Sequence, residues 1–211
     1  LISTSYFGPV QYFTKLLNAP SIFIEKYETY PKQTYRNRCE IYGANGKQTL
    51  VVPVKRVNGN HTLTKDIEVD YDMDWVKNHL KSIESAYNSS PFYEFFMDDL
   101  HAILNKNYRF LLDLNHDILI FILENLQIDI AISYTTSFTK DLHGGWLDLR
   151  NIVHPKKQRL KPDEKFKQVG YYQVFKEKHG FLPNLSILDV LFNEGPNTEM
   201  VLVKSKIKNP G

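Results

Sequence analysis

The sequence predicts an α/β fold, in which a mixed sheet opens with a β-α-β unit and a hairpin and is covered by several helices. Three patterns support this prediction: a strand–helix–strand opening, an Asn-Gly dipeptide between two short strands, and three helical segments within residues 75–126. Parallel neighbouring strands need a crossover of this kind, whereas Asn-Gly favours an antiparallel hairpin. The short strands and irregular loops leave an α+β fold open as the alternative.

The opening unit consists of two predicted strands, at residues 2–6 and 21–25, with a helix between them. Pro9 stands where a proline favours the start of a helix, because its ring fixes φ near the helical value and its missing N–H has no helical partner there. The helical spacing predicts that Phe13 and Leu16 lie on one side of this helix. A strand–helix–strand unit of this length predicts a parallel crossover.

The next element is a hairpin around Asn45-Gly46. Residues 34–41 are predicted to be extended and to pair across the turn with residues 48–54. Both residues of an Asn-Gly turn tolerate positive φ, which a tight connection requires. A short edge strand is predicted at residues 67–69.

Helices are predicted where a capping residue precedes an apolar run. The three helices are residues 75–87 behind Asp74, residues 91–104 behind Ser90, and residues 114–126 behind Asp113. A buried strand follows at residues 128–134, and an irregular polar region extends over residues 137–168. A last helix is predicted to begin at Ser186 and to end at Gly195.

Length and charge exclude several classes of protein. A chain of 211 residues with 42% hydrophobic residues can bury one sizeable core, so a single domain over residues 1–211 is predicted. A net charge of +2 is too small to attract nucleic acid, and no nucleic-acid partner is expected. The longest apolar run is too short to cross a bilayer and no signal-peptide pattern opens the chain. We therefore expect a cytoplasmic protein without a membrane span.

The common motifs for metals and nucleotides are absent from the sequence. Cys39 is the single cysteine, and the seven histidines show no metal-binding spacing. No P-loop, dinucleotide fingerprint or nucleophile elbow occurs. The sequence thus predicts no metal site and leaves the cofactor unknown.

The segment 33–41 concentrates the residue types that bind ligands. If it is extended, Arg36 and Arg38 share one face, and two guanidiniums on one face favour a phosphate or carboxylate ligand. Tyr35 and Asn37 lie beside them and are further candidates for substrate binding. The alternative is that the arginines pair internally with a carboxylate from Glu25, Glu28 or Glu40.

Three residues elsewhere are candidates for catalysis or positioning. His79 and Tyr87 lie on the same face of the predicted helix. As a general base, His79 could pass protons near neutral pH, and Tyr87 would be a second polar contact. Gln11 is a candidate positioning group near the carboxyl end of the first strand, where open α/β sheets bind ligands. The alternative for His79 is a structural histidine with all its hydrogen bonds satisfied.

The chain resembles the WbqC-like protein family. The matching segments are residues 6–13, residues 33–38 continuing through 45–54, Trp75 with His79, Tyr87 with Ser90-Pro91-Phe92, and residues 180–189. The resemblance implies a role in the biosynthesis of O-antigen, the polysaccharide of lipopolysaccharide, or of another bacterial surface polysaccharide.

Two functions are consistent with the resemblance. In the first, the chain is a transferase or related enzyme that acts on an anionic precursor, nucleotide-linked or acyl-activated, such as a nucleotide sugar. In the second, it is a non-catalytic binding or scaffolding component of a glycan assembly complex. A second copy of the chain or another protein of the glycan pathway is an open partner in either case.

Overall fold

The computed structural model describes residues 1–17, 19–140, 142, 145–156 and 163–207. The strands are β1 (Ile2–Ser3), β2 (Ser21–Glu25), β3 (Arg38–Gly43), β4 (Gly46–Val51), β5 (Val54–Arg56), β6 (Ile67–Val69) and β7 (Ala131–Tyr134). The α-helices are α1 (Val10–Thr14), α2 (Trp75–Tyr87), α3 (Tyr93–Leu104), α4 (Leu111–Asn125), α5 (Lys176–His179), α6 (Ile187–Glu194) and α7 (Thr198–Ser205). The fold class is α/β, as predicted from the sequence.

The opening unit forms a parallel sheet in the order β1-β2-β7. Ile2 pairs with Ile24, and Ile22 pairs with Ile132, so that the carboxyl ends of all three strands lie at one edge. The predicted parallel crossover is confirmed, although β1 has only two residues. Helix α1 begins after Pro9, which precedes the first helical residue instead of occupying it.

The predicted hairpin is confirmed, but its first strand begins later than expected. Strand β3 starts at Arg38 and pairs with β4 so that Gly43 lies opposite Gly46, whose φ is +99°. The residues before Arg38 form turns, with Gln33 at a φ of +60°. The backbone carbonyl of Arg36 accepts a hydrogen bond from the Asn115 side chain at 2.8 Å instead of joining a strand. Arg36 and Arg38 therefore do not share a strand face.

Within the described ranges the strands form three separate sheets, whereas the sequence suggested that the hairpin extends the opening sheet. The antiparallel pair β3-β4 and the antiparallel pair β5-β6 stand apart from the three-stranded parallel sheet. Hydrophobic periodicity specifies which segments are extended, but it does not specify which edges meet.

The predicted helices all form, and two of them, α3 and α4, begin at other residues than expected. Asp74 caps α2 as expected, its side chain accepting a hydrogen bond from the Lys77 N–H at 3.3 Å. Helix α3 begins two residues after Pro91, and α4 begins at Leu111, so that Asp113 lies in its first turn instead of capping it. None of the described helices is both long and apolar enough to cross a bilayer.

Helix α6 completes the core from the far end of the chain. Ser186 caps it as predicted, accepting a hydrogen bond from the Leu188 N–H at 3.3 Å, and Gly195 ends it with a φ of +51°. Ser186 Oγ also donates to the Phe7 carbonyl at 2.9 Å. Buried side chains from both ends of the chain thus belong to one hydrophobic cluster. That the whole chain is one domain stays a prediction.

Candidate functional site

Arg36 is buried near the carboxyl edge of the parallel sheet and is neutralised by a carboxylate. Its Nε donates to Glu28 Oε1 at 2.8 Å, and its Nη2 lies 2.7 Å from the same oxygen. Nη2 also donates to the hydroxyl of Ser3, the last residue of β1, at 2.5 Å. Two donors on one edge of the guanidinium thus converge on a single carboxylate oxygen, and this charge-assisted contact fixes the plane of the guanidinium. The pairing is one of those that the sequence left open as an alternative to ligand binding.

Arg38, two residues later, is placed differently. Its side chain is half-buried at the start of β3, and its Nε is fully buried without a hydrogen-bond partner among the described residues. A buried donor without a partner costs about 1–3 kcal/mol, so native proteins rarely leave one unexplained. Arg38 is therefore the arginine of this segment that retains capacity for a ligand.

Tyr30 contributes a second buried polar group to the same region. Its side chain is 4% exposed, and no residue in the described ranges bonds its hydroxyl. The guanidinium carbon of Arg56 lies 5.2 Å from the centre of its ring. Burial raises the pKa of Tyr30 to about 12, against the opposing charges of Arg36, Arg56 and Arg38. The positive charges of three arginines thus act electrostatically on one neutral hydroxyl.

These residues form what we call the arginine cluster: Glu28, Tyr30, Arg36, Arg38 and Arg56. It contains three guanidiniums and one carboxylate, so its positive charge exceeds its negative charge. Guanidiniums present planar forks of donors that match phosphate and carboxylate oxygens. A phenolic hydroxyl can donate to the same oxygens. The donors of the cluster therefore suit an anionic ligand.

Tyr35 and Asn37 flank Arg36 and hold the segment in place. The Tyr35 hydroxyl donates to Glu40 at 3.5 Å, and its carbonyl accepts the Tyr6 N–H at 2.8 Å. The Asn37 side-chain amide donates to the Val52 carbonyl at 2.8 Å, while its Oδ1 is buried without a partner in the described part of the chain. Tyr35 thus fixes the backbone, and Asn37 keeps one free acceptor.

His79 is enclosed between two hydrogen bonds. Its Nε2 lies 3.2 Å from the Val51 carbonyl, which can only accept, so Nε2 carries the proton and Nδ1 accepts from the Tyr6 hydroxyl at 2.8 Å. Burial lowers the pKa of His79 to about 4, and the contact with Val51 opposes this shift. The imidazole is therefore neutral at neutral pH and uses both nitrogens inside the protein.

Tyr87 belongs to a different buried network, centred on Asp189. Its hydroxyl donates to Asp189 Oδ1 at 2.9 Å and accepts the Tyr42 N–H at 3.2 Å. Tyr171 donates to Asp189 Oδ2 at 2.5 Å and Gln173 donates to it at 2.9 Å. Burial raises the pKa of Asp189 to about 6, although these three hydrogen bonds favour the charged form.

The structure does not bring His79 and Tyr87 into one constellation. They lie eight positions apart on α2, which is about 12 Å along the helix axis. Gln11 is also bound elsewhere, since its Nε2 donates to Asp163 Oδ2 at 2.7 Å and its Oε1 accepts from Asn184 at 3.3 Å. Gln11 therefore links α1 to the segments that carry Asp163 and Asn184.

Sequence reasoning did not single out Arg56 or Tyr30 as candidate site residues. Arg56 lies after the hairpin, on a strand whose position relative to Tyr30 depends on the β5-β6 pairing and on the loop between them. No local pattern marks that proximity. Within the described ranges, no group of three or more histidine, cysteine, aspartate or glutamate side chains could hold a metal ion.

Comparison with known proteins identifies relatives of the chain. The uncharacterized protein Rv1507c of Mycobacterium tuberculosis is 26% identical over 217 residues, which cover 92% of this chain and 93% of that protein. No solved structure matches significantly. The WbqC-like protein family matches residues 4–154, a range that includes the whole arginine cluster, His79 and Tyr87. By this match over more than half of its length, the chain belongs to the WbqC-like protein family.

Proposed function

We propose that this chain binds an anionic precursor at the arginine cluster and transfers a group in the biosynthesis of a surface polysaccharide such as O-antigen. The observation that carries the proposal is the pair of buried polar groups without described partners, Arg38 Nε and the Tyr30 hydroxyl. The pathway comes from the family resemblance, and the ligand class comes from the charge and donors of the cluster. The transferase reaction is our hypothesis from the occurrence of basic, aromatic and titratable side chains in the same chain. We expect the activity in the cytoplasm.

The roles within the cluster follow from its contacts. Arg38 and Arg56 would hold phosphate or carboxylate oxygens, and Tyr30 would donate to the same group. Arg36 is already paired with Glu28 and would act through its charge and by fixing the backbone before Arg38. Tyr35 and Asn37 would shape the approach to Arg38. A nucleotide sugar supplies phosphates of the required charge.

Catalytic roles for His79 and Tyr87, and a positioning role for Gln11, stay predictions. The hydrogen bonds of all three side chains are made within the protein, which supports the second candidate, a non-catalytic binding component. The enzyme and the binding component would both use the arginine cluster, but only the enzyme would convert its ligand. The enzyme is favoured if the wild-type chain converts a bound nucleotide sugar and if His79→Gln or Tyr87→Phe abolishes this conversion while binding is retained.

Calorimetric titration with pyrophosphate and with UDP-, GDP- and CMP-sugars tests the binding site. Arg38→Met should weaken binding about tenfold to a hundredfold, because a charged hydrogen bond contributes about 1.5–3 kcal/mol. Arg109→Met is the matched control, since Arg109 is 75% exposed and pairs with Glu68 at 3.0 Å. Equal affinity of the wild-type and Arg38→Met proteins, or no binding of any of these probes, would overturn the proposal.

A further inference from the structure

A separate pocket opens at the carboxyl end of the parallel sheet, directly after β7. It encloses about 250 Å³. Aromatic rings and hydroxyl side chains line it, namely Phe23, Trp146, Thr135, Thr136, Ser137 and Thr139. Open α/β sheets bind their ligands at this edge. None of these residues belongs to the arginine cluster.

The aromatic side of the pocket is the indole ring of Trp146, which packs against a second ring. Trp146 is 44% exposed, which is unusual for so large an apolar side chain. Its ring centre lies 4.4 Å from that of Phe23 on β2, with the two planes inclined at 50°. Phe23 thus supports Trp146 from the sheet. A large rigid ring that stays partly exposed offers contact area at low entropic cost.

The hydroxyl side of the pocket follows Tyr134 in the sequence. The hydroxyl of Thr135 already has a partner within the protein, since it donates to Glu25 Oε1 at 2.8 Å. Thr136 and Ser137 are exposed, and no residue in the described ranges bonds their hydroxyls. Two hydroxyls that can both donate and accept therefore stand near an aromatic face. That combination matches a sugar, which has apolar C–H faces and a rim of hydroxyls.

A buried ion pair holds both sides of the pocket against the sheet. Glu25, the fully buried last residue of β2, accepts the Thr139 N–H at 3.3 Å and lies 3.5 Å from Arg150 Nη1. Arg150 also donates to the Thr139 carbonyl at 2.6 Å and to Asp148 at 2.7 and 3.0 Å. The segment with Trp146 and the loop with Thr136 are thus fixed before a ligand arrives, which lowers the entropic cost of binding.

A hydrogen-bonded link through Ser3 places the pocket near the arginine cluster. The Ser3 hydroxyl accepts from Arg36 Nη2 at 2.5 Å and donates to the Arg150 carbonyl at 3.4 Å. The pocket and the cluster are thus neighbours along one edge of the sheet. A precursor that contains both a sugar and an anionic group would meet chemically suited residues at each.

We propose that the pocket binds a sugar ring, stacked on Trp146 and hydrogen-bonded by Thr136 and Ser137. The inference rests on the proposed function for the pathway, and it names the neutral part of the substrate. Its contacts are independent of those that bind the anion. Neutral sugars can therefore test it separately.

The experiment is a titration of the wild-type protein with four neutral sugars at millimolar concentrations: glucose, galactose, N-acetylglucosamine and N-acetylgalactosamine. Saturation-transfer NMR and tryptophan fluorescence measure the binding. At least one sugar should bind. Trp146→Ala should weaken that binding about tenfold or more, as loss of a stacking ring does. The double change Thr136→Val and Ser137→Ala should weaken it as well. The exposed aromatic Tyr172 supplies the control variant Tyr172→Ala, with affinity unchanged.

Arg38→Met separates this inference from the proposed function, because a neutral sugar needs no guanidinium. It should keep sugar affinity while it loses pyrophosphate affinity. Absence of binding for all four sugars, or wild-type affinity in Trp146→Ala, would refute the sugar pocket even if the arginine cluster binds anions. Circular dichroism of each variant verifies the fold, and the exposure of Trp146 makes its replacement tolerable.

Discussion

Replacement of His79 by glutamine is expected to change how the stability of the protein depends on pH. Glutamine cannot titrate, and its amide can still donate toward the Val51 carbonyl. The imidazole is buried and neutral, so protonation requires the folded protein either to hold a buried charge or to unfold. A histidine of this kind stabilises the fold only while it stays neutral.

The magnitude follows from the pKa difference. The pKa of His79 falls from 6.5 in the unfolded chain to about 4 in the fold, mainly through burial. The contribution is complete above pH 6.5 and is lost as pH falls through about 4. A difference of this size corresponds to about 3 kcal/mol in the free energy of unfolding. The stability of the wild-type protein relative to His79→Gln should therefore rise by about that amount between pH 4 and pH 7.

Asp189 provides the opposite case in the same molecule. Its pKa rises from 3.8 to about 6 on folding, so its contribution is complete below pH 3.8 and is lost as pH increases through about 6. His79 and Asp189 thus change the free energy of unfolding by similar amounts and in opposite directions as pH rises, so their effects nearly cancel in the wild-type protein. Urea unfolding at pH steps from 4 to 7, followed by circular dichroism, should show slopes of opposite sign when His79→Gln and Asp189→Asn are each compared with wild type.

A pH-independent difference between wild type and His79→Gln would refute the reasoning. It would mean that His79 titrates with the same pKa in the folded and unfolded chains, which requires access to water. Such a histidine would have a pKa near working pH, and the general-base hypothesis would gain support. The stability experiment thus bears directly on catalysis.

Two further substitutions test the packing around the site and the last helices. Arg36→Met should lower the free energy of unfolding by about 3 kcal/mol, because it leaves the largely buried carboxylate of Glu28 without its partner. A urea titration measures this, and an unchanged free energy of unfolding would contradict it. Gly195→Ala should cost about 3 kcal/mol, because a Cβ there would lie 2.5 Å from the Phe92 ring at a φ of +51°. An unchanged melting temperature in Gly195→Ala would contradict that expectation.

Much of the fold could be predicted because local chemistry specifies it. Strand β2 and helix α2 begin and end as predicted, since apolar periodicity and the Asp74 cap act within a few residues. The prediction for residues 34–41 was wrong at its start because Arg36 is held by Glu28 and Asn115, both distant from the hairpin. No pattern within the segment records those contacts.

The candidate site shows the same division. The arginines could be identified as candidates from residue type alone. Which of them can still bind a ligand depends on tertiary contacts. Glu28 neutralises Arg36, whereas Arg38 has no described carboxylate within ion-pair distance. The proximity of Tyr30 and Arg56 arises from the pairing of loops and strands across the fold. Sequence spacing cannot predict such proximity when the intervening connections are irregular.

The position of α6 in the chain has a consequence for synthesis. The Ile187 N–H donates to the Gly8 carbonyl at 2.9 Å, and the Val10 N–H donates to the Leu185 carbonyl at 3.0 Å, so the first helix and α6 are bound to each other. Residues 8–10 are synthesised well before residues 185–194. Until α6 has left the ribosome, the Gly8 carbonyl and the Val10 N–H lack these partners and the apolar side chains around α1 stay partly uncovered, so this part of the core closes late in folding.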